Sequence, residues 1–252
     1  KRPTPERLGL TKIESSSLSS TRSYQDGARW WQAGEVHLLT SEAALRRLIP
    51  SPASAIKLKI LSKLEPRSTE LIRVASLVGA AATSHDTQLT LSILDGAGHW
   101  RALDDHTLEA RDAVLAQEAR AASARIGVGM LFMVPGLCET LRVNGTLTVH
   151  AAAGDDVVRV SVEEVYLQCP KALIRSQLWQ PSAWTPTPTA HAESTDGFVA
   201  AAPFALLATT DPDGNADLSP RGDPAGAFMR RLPDGRWLLP DRTGNHLVDS
   251  LR

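Results

Sequence analysis

Asp217-Leu218-Ser219-Pro220-Arg221-Gly222-Asp223, followed further along by Pro240-Asp241-Arg242-Thr243-Gly244-Asn245, is the stretch from which the fold of this chain is read. Each block sets an arginine close to glycine. A guanidinium offers a fixed fork of donors to a phosphate, and a neighbouring glycine lets backbone N–H groups approach the same oxygens with no Cβ in the way. The pattern suits an anion cradle for a phosphorylated small molecule, although the same residue types also suit an ordinary turn and a polar loop. The setting favours the cradle. Phe204-Ala205-Leu206-Leu207-Ala208-Thr209-Thr210 is an apolar run of strand length, and Asp211-Pro212-Asp213-Gly214 is a turn. Between the blocks, Ala227-Phe228-Met229-Arg230 and Arg236-Trp237-Leu238-Leu239 flank Pro233-Asp234-Gly235, which reads as a hairpin. The expected result is an antiparallel meander with the arginines at strand ends.

This order of strand, Asp-Pro-Asp-Gly turn, Ser-Pro-Arg-Gly-Asp-Pro, hairpin and Leu-Pro-Asp-Arg-x-Gly-Asn resembles the first half of the pyridoxamine 5'-phosphate oxidase-like, FMN-binding split-barrel family. The second half of such a domain resembles earlier segments: Leu131 to Gly136, Glu139 to Gly145, and Val162 to Trp179. The resemblance is strong over residues 126 to 252 and thin over 40 to 125. It implies a mainly β split barrel with peripheral helices, FMN held in a cleft between two barrels, and an FMN-dependent oxidoreductase acting on a small organic substrate. By resemblance, Ser219 and Arg221 contact ribityl and phosphate with Gly222 beside them, and Arg242 and Asn245 belong to the phosphate loop. Asp223 and Asp241 either orient those arginines or cap turns. The facing barrel supplies Arg142, Asn144, Lys171, Arg175 and Trp179, with Trp179 packing near the ring. Arg142 and Asn144 equally suit a structural role beside a Val-Asn-Gly turn. Nothing in the chain is tied to a pyridoxal phosphate, and no catalytic residue is assigned. A second class stays open, a non-catalytic barrel or one holding haem or a deazaflavin. Haem would need an axial ligand, for which His150 is the candidate.

The second half precedes the first because the chain repeats. Leu71 to Leu91 lies ungapped against Phe198 to Leu218 at an offset of 127 residues, pairing Ala81 with Ala208, Thr83 with Thr210 and Ser92 with Ser219. That is a domain-sized period. Residues 1 to 39 then form a flexible arm with an aromatic segment, and 40 to 182 a complete but degenerate copy. A Pro/Thr linker follows at 183 to 190, and 191 to 252 begin a second copy that stops halfway, as though polypeptide were missing. The position of Arg221 falls on Leu94 in the early copy, so the early cradle is lost. The other arrangement is a circular permutation in which 126 to 180 and 198 to 252 make one barrel. The expected assembly is a homodimer or an internal pseudo-dimer.

Composition agrees with a folded domain. The chain is 252 residues, 42% hydrophobic and 22% charged, with a formal net charge of -1 that gives no general attraction to nucleic acid or membrane. No apolar run nears the roughly 20 residues that span a bilayer. The two cysteines, Cys138 and Cys169, suggest neither a disulfide framework nor a zinc site, so a reducing, cytoplasmic setting is expected. Two short helices are predicted between Ser41 and Leu64, strands at 71 to 82, 88 to 94 and 99 to 103, and a helix over 109 to 125. Strands follow at 126 to 134, 140 to 150 and 157 to 168, then a short helix or turn from Lys171.

Overall fold

A computed structural model describes residues 41–48, 59–83, 88–96, 98–121, 125–151, 156–180, 194–225, 228–240 and 242. The N-terminal arm, the linker, Asp241 and Asn245 lie outside the described residues, as does His246.

A long run of small and branched apolar residues gives the central strands. The early segment builds α1 (Glu42–Leu48), α2 (Pro66–Val74), β1 (Leu77–Thr83), β2 (Leu89–Asp95), β3 (Arg101–Ala102), β4 (Thr107–Arg111), α3 (Ala113–Ala121), β5 (Ile126–Met133), β6 (Thr140–Ala151), β7 (Asp156–Leu167) and α4 (Lys171–Ser176). Its strands form one seven-stranded antiparallel sheet in the order β2-β1-β5-β6-β7-β4-β3. β5 is buried along its whole length, as a continuous apolar strand between two neighbours must be. Trp100 fills the core behind it, edge-on to Phe132 with ring centroids 6.1 Å apart. The late segment adds α5 (Thr195–Ala201), β8 (Phe204–Thr210), β9 (Ala216–Gly222), β10 (Arg230–Arg231) and β11 (Trp237–Leu238) as two separate hairpins, β8-β9 and β10-β11. The fold is therefore mainly β with a large antiparallel sheet and few helices. Among the described residues the large sheet stays open between its edge strands β2 and β3.

Three local expectations are corrected. The strand predicted from Leu71 begins only at Leu77, because Pro66 starts a helix whose Ser68, Leu71 and Ile72 are buried. The second helix predicted before Leu64 is not seen in residues 59 to 64; Leu61 instead exchanges backbone hydrogen bonds with Val165 at 2.9 and 2.8 Å. The helix predicted from residue 109 begins at Ala113 after strand β4. Asp112 divides the two, its carboxylate accepting from the Leu115 N–H at 3.0 Å as an N-cap does.

Helix propensity lost at β4 because Leu108 and Ala110 are buried in the sheet while Glu109, on the other face, is clamped by two arginines. Arg101 Nη2 lies 2.5 Å from one carboxylate oxygen and Arg159 Nε 2.9 Å from the other. Arg101 first, and then Arg159, holds this carboxyl below the usual range. A depressed folded pKa means that the pairing stabilises fully above the unfolded value, near pH ~4.3, and that this contribution is lost as pH falls through the lower folded value. Glu109→Gln should lower the melting temperature at neutral pH and flatten its fall on acidification. A melting curve series with the same acid slope as the parent would reject that role.

The β8-β9 hairpin lies on the β1-β5 face. At Gly127 an added Cβ would sit 2.0 Å from the Gly214 carbonyl oxygen, so only glycine lets the Asp211-to-Gly214 turn settle there. The Thr83 hydroxyl ties the contact, accepting from the Gly127 N–H at 2.9 Å with the Gly214 carbonyl 3.0 Å away.

Candidate cofactor site between the early sheet and the late hairpin

The first sequence block is a strand, not a loop. Residues 217, 219 and 221 share one face of β9, by the two-residue period of a strand, while Leu218 on the other face packs with Ala81, Leu131 and Met133. Arg221 is the next-to-last residue of β9, near the strand end where it was expected. The openness expected of a cradle is what is corrected: its relative exposure is 1%, as is that of Asp223. Buried charge of this kind persists only where opposite charge and hydrogen bonds share the site.

Asp223 is the point where three parts of the chain meet. Arg242 from the second block donates through Nε to its Oδ2 at 2.8 Å, and Arg175 of α4 brings its Nε within 3.5 Å of Oδ1. The same Arg175 Nε donates to the Gly222 carbonyl at 3.0 Å. α4 comes this close because residue 222 is glycine: a Cβ there would lie 2.3 Å from the Ala172 carbonyl oxygen. α4 ends at Gln177, whose left-handed φ of 52° turns the chain so that Trp179, like Phe204, packs against the cluster of Ala172, Leu173 and Leu178. The Trp179 indole Nε1 is buried and has no hydrogen-bond partner. Lys171 opens α4 and is exposed.

A second group joins the early sheet to the other end of β9. Arg142 of β6 donates through Nη1 to Asp217 Oδ2 at 2.7 Å and lies 3.4 Å from the Ser219 hydroxyl, with its guanidinium 4.2 Å above the Tyr166 ring. Asn144 Nδ2 donates to Asp217 Oδ1 at 3.2 Å, and the Ser219 hydroxyl donates to Oδ2 at 3.2 Å. Arg142 and Asn144 are therefore on a strand facing the late hairpin, not in the turn that Asn-Gly suggests. Their alternation with Leu141 and Val143, both buried, aims them at β9. A cleft of about 570 Å³ opens beside them, lined by Asn144, Glu163 and Glu164 on one side and Thr210, Asp211 and Asp217 on the other.

Sequence reasoning named Ser219, Arg221, Gly222, Asp223, Arg242, Arg142, Asn144, Arg175 and Trp179, and the structure gathers all of them along the seam between early sheet and late hairpin. It missed Asp217, which holds Arg142, Asn144 and Ser219 together. The signal was available in the two-residue alternation of 217, 219 and 221 once the block is read as a strand. Arg125 was missed too; it links Asn215 at 2.6 Å with Glu163 at 2.7 Å across the mouth of the cleft. His150 is exposed at the far end of β6 and shares a 3.2 Å hydrogen bond with the Thr148 hydroxyl. Among the described residues no group of His, Cys, Asp and Glu could hold a metal ion, and no helix is long and apolar enough to cross a membrane.

No protein-family model matches the chain, and neither does any curated protein. Solved structures are matched over part of it. A provisionally assigned pyridoxamine 5'-phosphate oxidase from Lactobacillus delbrueckii is 18% identical, at a TM-score of 0.35 over 42% of this chain and 95% of that one. HupZ of Group A Streptococcus is 16% identical, at 0.33 over 41% and 93%. The FAD binding protein from Mycobacterium smegmatis is 14% identical, at 0.28 over 42% and 95%. Likeness at these TM-scores is too slight to carry a function across.

Proposed function

We propose that the chain is an FMN-dependent oxidoreductase of the pyridoxamine 5'-phosphate oxidase-like split-barrel type, acting on a small organic substrate at a site shared by the early sheet and the late hairpin. The observation that carries this reading is the convergence on Asp223 of Arg175 from the early unit and Arg242 from the second block, with Arg221 buried two residues before it in β9. The buried carboxylate holds these guanidiniums in place, and a guanidinium fork matches the geometry of a phosphate. The orphaned Trp179 indole N–H and the glycine-limited approach of α4 to β9 fit a group seated in the same seam.

In this reading Arg175, Arg221 and Arg242 hold the phosphate, with Lys171 at its edge, and Asp223 fixes the guanidiniums in place. Arg142, Asn144 and Ser219, locked to one another through Asp217, present donors to the polar chain of the ligand. When bound, the flavin supplies the transfer of a hydride or electron pair; the protein supplies position and electrostatics. Deazaflavin shares the ring shape, and the mass and visible absorption of the released ligand separate the two. The haem alternative loses its candidate ligand, since the imidazole of His150 is exposed and bonded to Thr148.

The early copy has Leu94 where the late one has Arg221, so one site per chain is expected. Mass spectrometry of ligand released from, or titrated into, the purified protein should give one FMN per chain. Two equivalent FMN molecules, or none at saturating concentration, would count against the reading. Trp179→Phe should brighten the fluorescence of bound FMN while changing its affinity by less than about 1 kcal/mol, because ring packing contributes less than charged contacts. Unchanged fluorescence would place the ring away from Trp179.

A further inference from the structure

Strand β7 changes step halfway along. Val158, Val160 and Val162 are buried and alternate with Arg159, Ser161 and Glu163, but the next buried residue after Val162 is Val165. Glu163 and Glu164 break the alternation. The pairing with β6 records the same slip: Gly145 stands opposite Val162, whereas Asn144 stands opposite Glu164, so Glu163 has no residue facing it across the pair. That is a β-bulge, an extra residue on one strand of an antiparallel pair.

A slip of one residue carries every later side chain to the opposite face of the sheet. In the register that holds from Val157 to Val162, Arg142 would meet Val165, and Tyr166 would point into the core. In the register beyond the bulge, Val165 is fully buried and Tyr166 stands opposite Arg142, half-buried on the face that receives the late hairpin. Gly145 permits the close approach that this needs, since a Cβ there would lie 2.0 Å from the Ser161 carbonyl oxygen.

What the slip delivers is an aromatic face for Arg142. The guanidinium carbon lies 4.2 Å from the centroid of the Tyr166 ring, and Nη1 donates to Asp217 Oδ2 at 2.7 Å. A ring against one face and a carboxylate at one edge leave a planar guanidinium a single orientation. The Arg142 side chain is only 13% exposed, and a cation–π contact strengthens as water is excluded from it.

We propose that Tyr166 is a positioning residue: set against Arg142 by the bulge at Glu163, its ring fixes the plane in which that guanidinium meets the polar chain of the ligand. The inference rests on the flavin reading above and names within it a residue that acts through another. It also accounts for the bulge, since an evenly stepped β7 would offer Arg142 an aliphatic valine in place of the ring.

The test titrates the full chain and its variants with FMN and with riboflavin, which share the polar chain and differ in the phosphate. Tyr166→Phe keeps the ring and should bind both as the parent does. Tyr166→Leu should bind both about fivefold more weakly, the size expected of one partly buried cation–π contact, and should leave the preference for FMN over riboflavin unchanged. In an Arg142→Ala background the further change Tyr166→Leu should have no additional effect, because the ring acts only through the guanidinium. Tyr166→Met, which fills similar space without a ring, repeats the comparison where leucine upsets the sheet. Parental affinity of the ringless variants would show that the ring does not position Arg142, and equal weakening with and without Arg142 would show general damage to the sheet; either result overturns the proposal and leaves the flavin reading standing. A parent that binds neither flavin overturns both.

Discussion

Arg221→Ala and Arg242→Ala should each weaken FMN binding by about 2 kcal/mol or more, roughly thirtyfold, because each removes a charge-assisted donor to a dianionic phosphate. The two substitutions should differ in their side effects. Arg242 is partly exposed and pairs with Asp223 at 2.8 Å, and its loss leaves Arg175 beside that carboxylate. Arg221 is wholly buried. Its replacement empties a large buried volume, so a lower melting temperature should accompany the weaker binding. Arg101→Ala, whose side chain pairs with Glu109 at the β4-β3 edge of the early sheet, should leave FMN affinity unchanged. Titration with FMN and with riboflavin then separates phosphate recognition from general damage. The parent should prefer FMN strongly, and Arg242→Ala should erase most of that preference. Equal affinity of parent and Arg242→Ala for FMN would remove the phosphate from this end of β9.

Gly222→Ala should damage stability and binding together. The new methyl would stand 2.3 Å from the Ala172 carbonyl oxygen and 3.0 Å from Ser176 Cβ, both parts of α4 that have little freedom to retreat. Overpacking of this kind costs about 1–3 kcal/mol, and for a chain of this size each kcal/mol lowers the melting temperature by about 2–4 °C. The more telling effect is on Arg175. If α4 withdraws from β9, its hydrogen bond to the Gly222 carbonyl and its approach to Asp223 are lost together. FMN affinity should therefore fall although no ligand-contacting side chain has been changed. A Gly222→Ala protein with parental melting temperature and parental affinity would mean that the α4–β9 contact does not organise the site.

The meander around the first block was legible because its turns are written in local chemistry. Asp211 to Gly214 and Leu232 to Arg236 close as their Pro, Asp and Gly residues dictate, with Gly214 and Gly235 at positive φ. The long strands β6 and β7 were legible from alternation. β4 was not: Thr107 to Arg111 carries good helix formers, and only burial of Leu108 and Ala110 in the sheet and the Arg159–Glu109 pair from β7 make it a strand. α2 was hidden for the opposite reason, since Leu71 and Ile72 continue into the apolar run of β1 and only Pro66 marks a helix start. In the site, residue identity was legible but placement was not. Arg221 reads as a surface turn residue because Pro and Gly flank it, yet Pro220 and Gly222 lie within a strand that is covered on both sides. Asp217 went unnamed because its importance depends on Arg142 and Asn144, brought opposite it from 75 and 73 residues away.

The links from Arg142 to Asp217 and from Arg175 to Asp223 join distant segments of one polypeptide. Closing such a site is an intramolecular event with an effective concentration set by the connecting chain, on the order of millimolar for a short flexible connection. Dilution therefore should not empty the site by pulling its two halves apart, as it would for a site shared between separate molecules. Ligand affinity measured at nanomolar protein should equal that measured at micromolar protein, and a cell making few copies of this chain would still have each of them assembled.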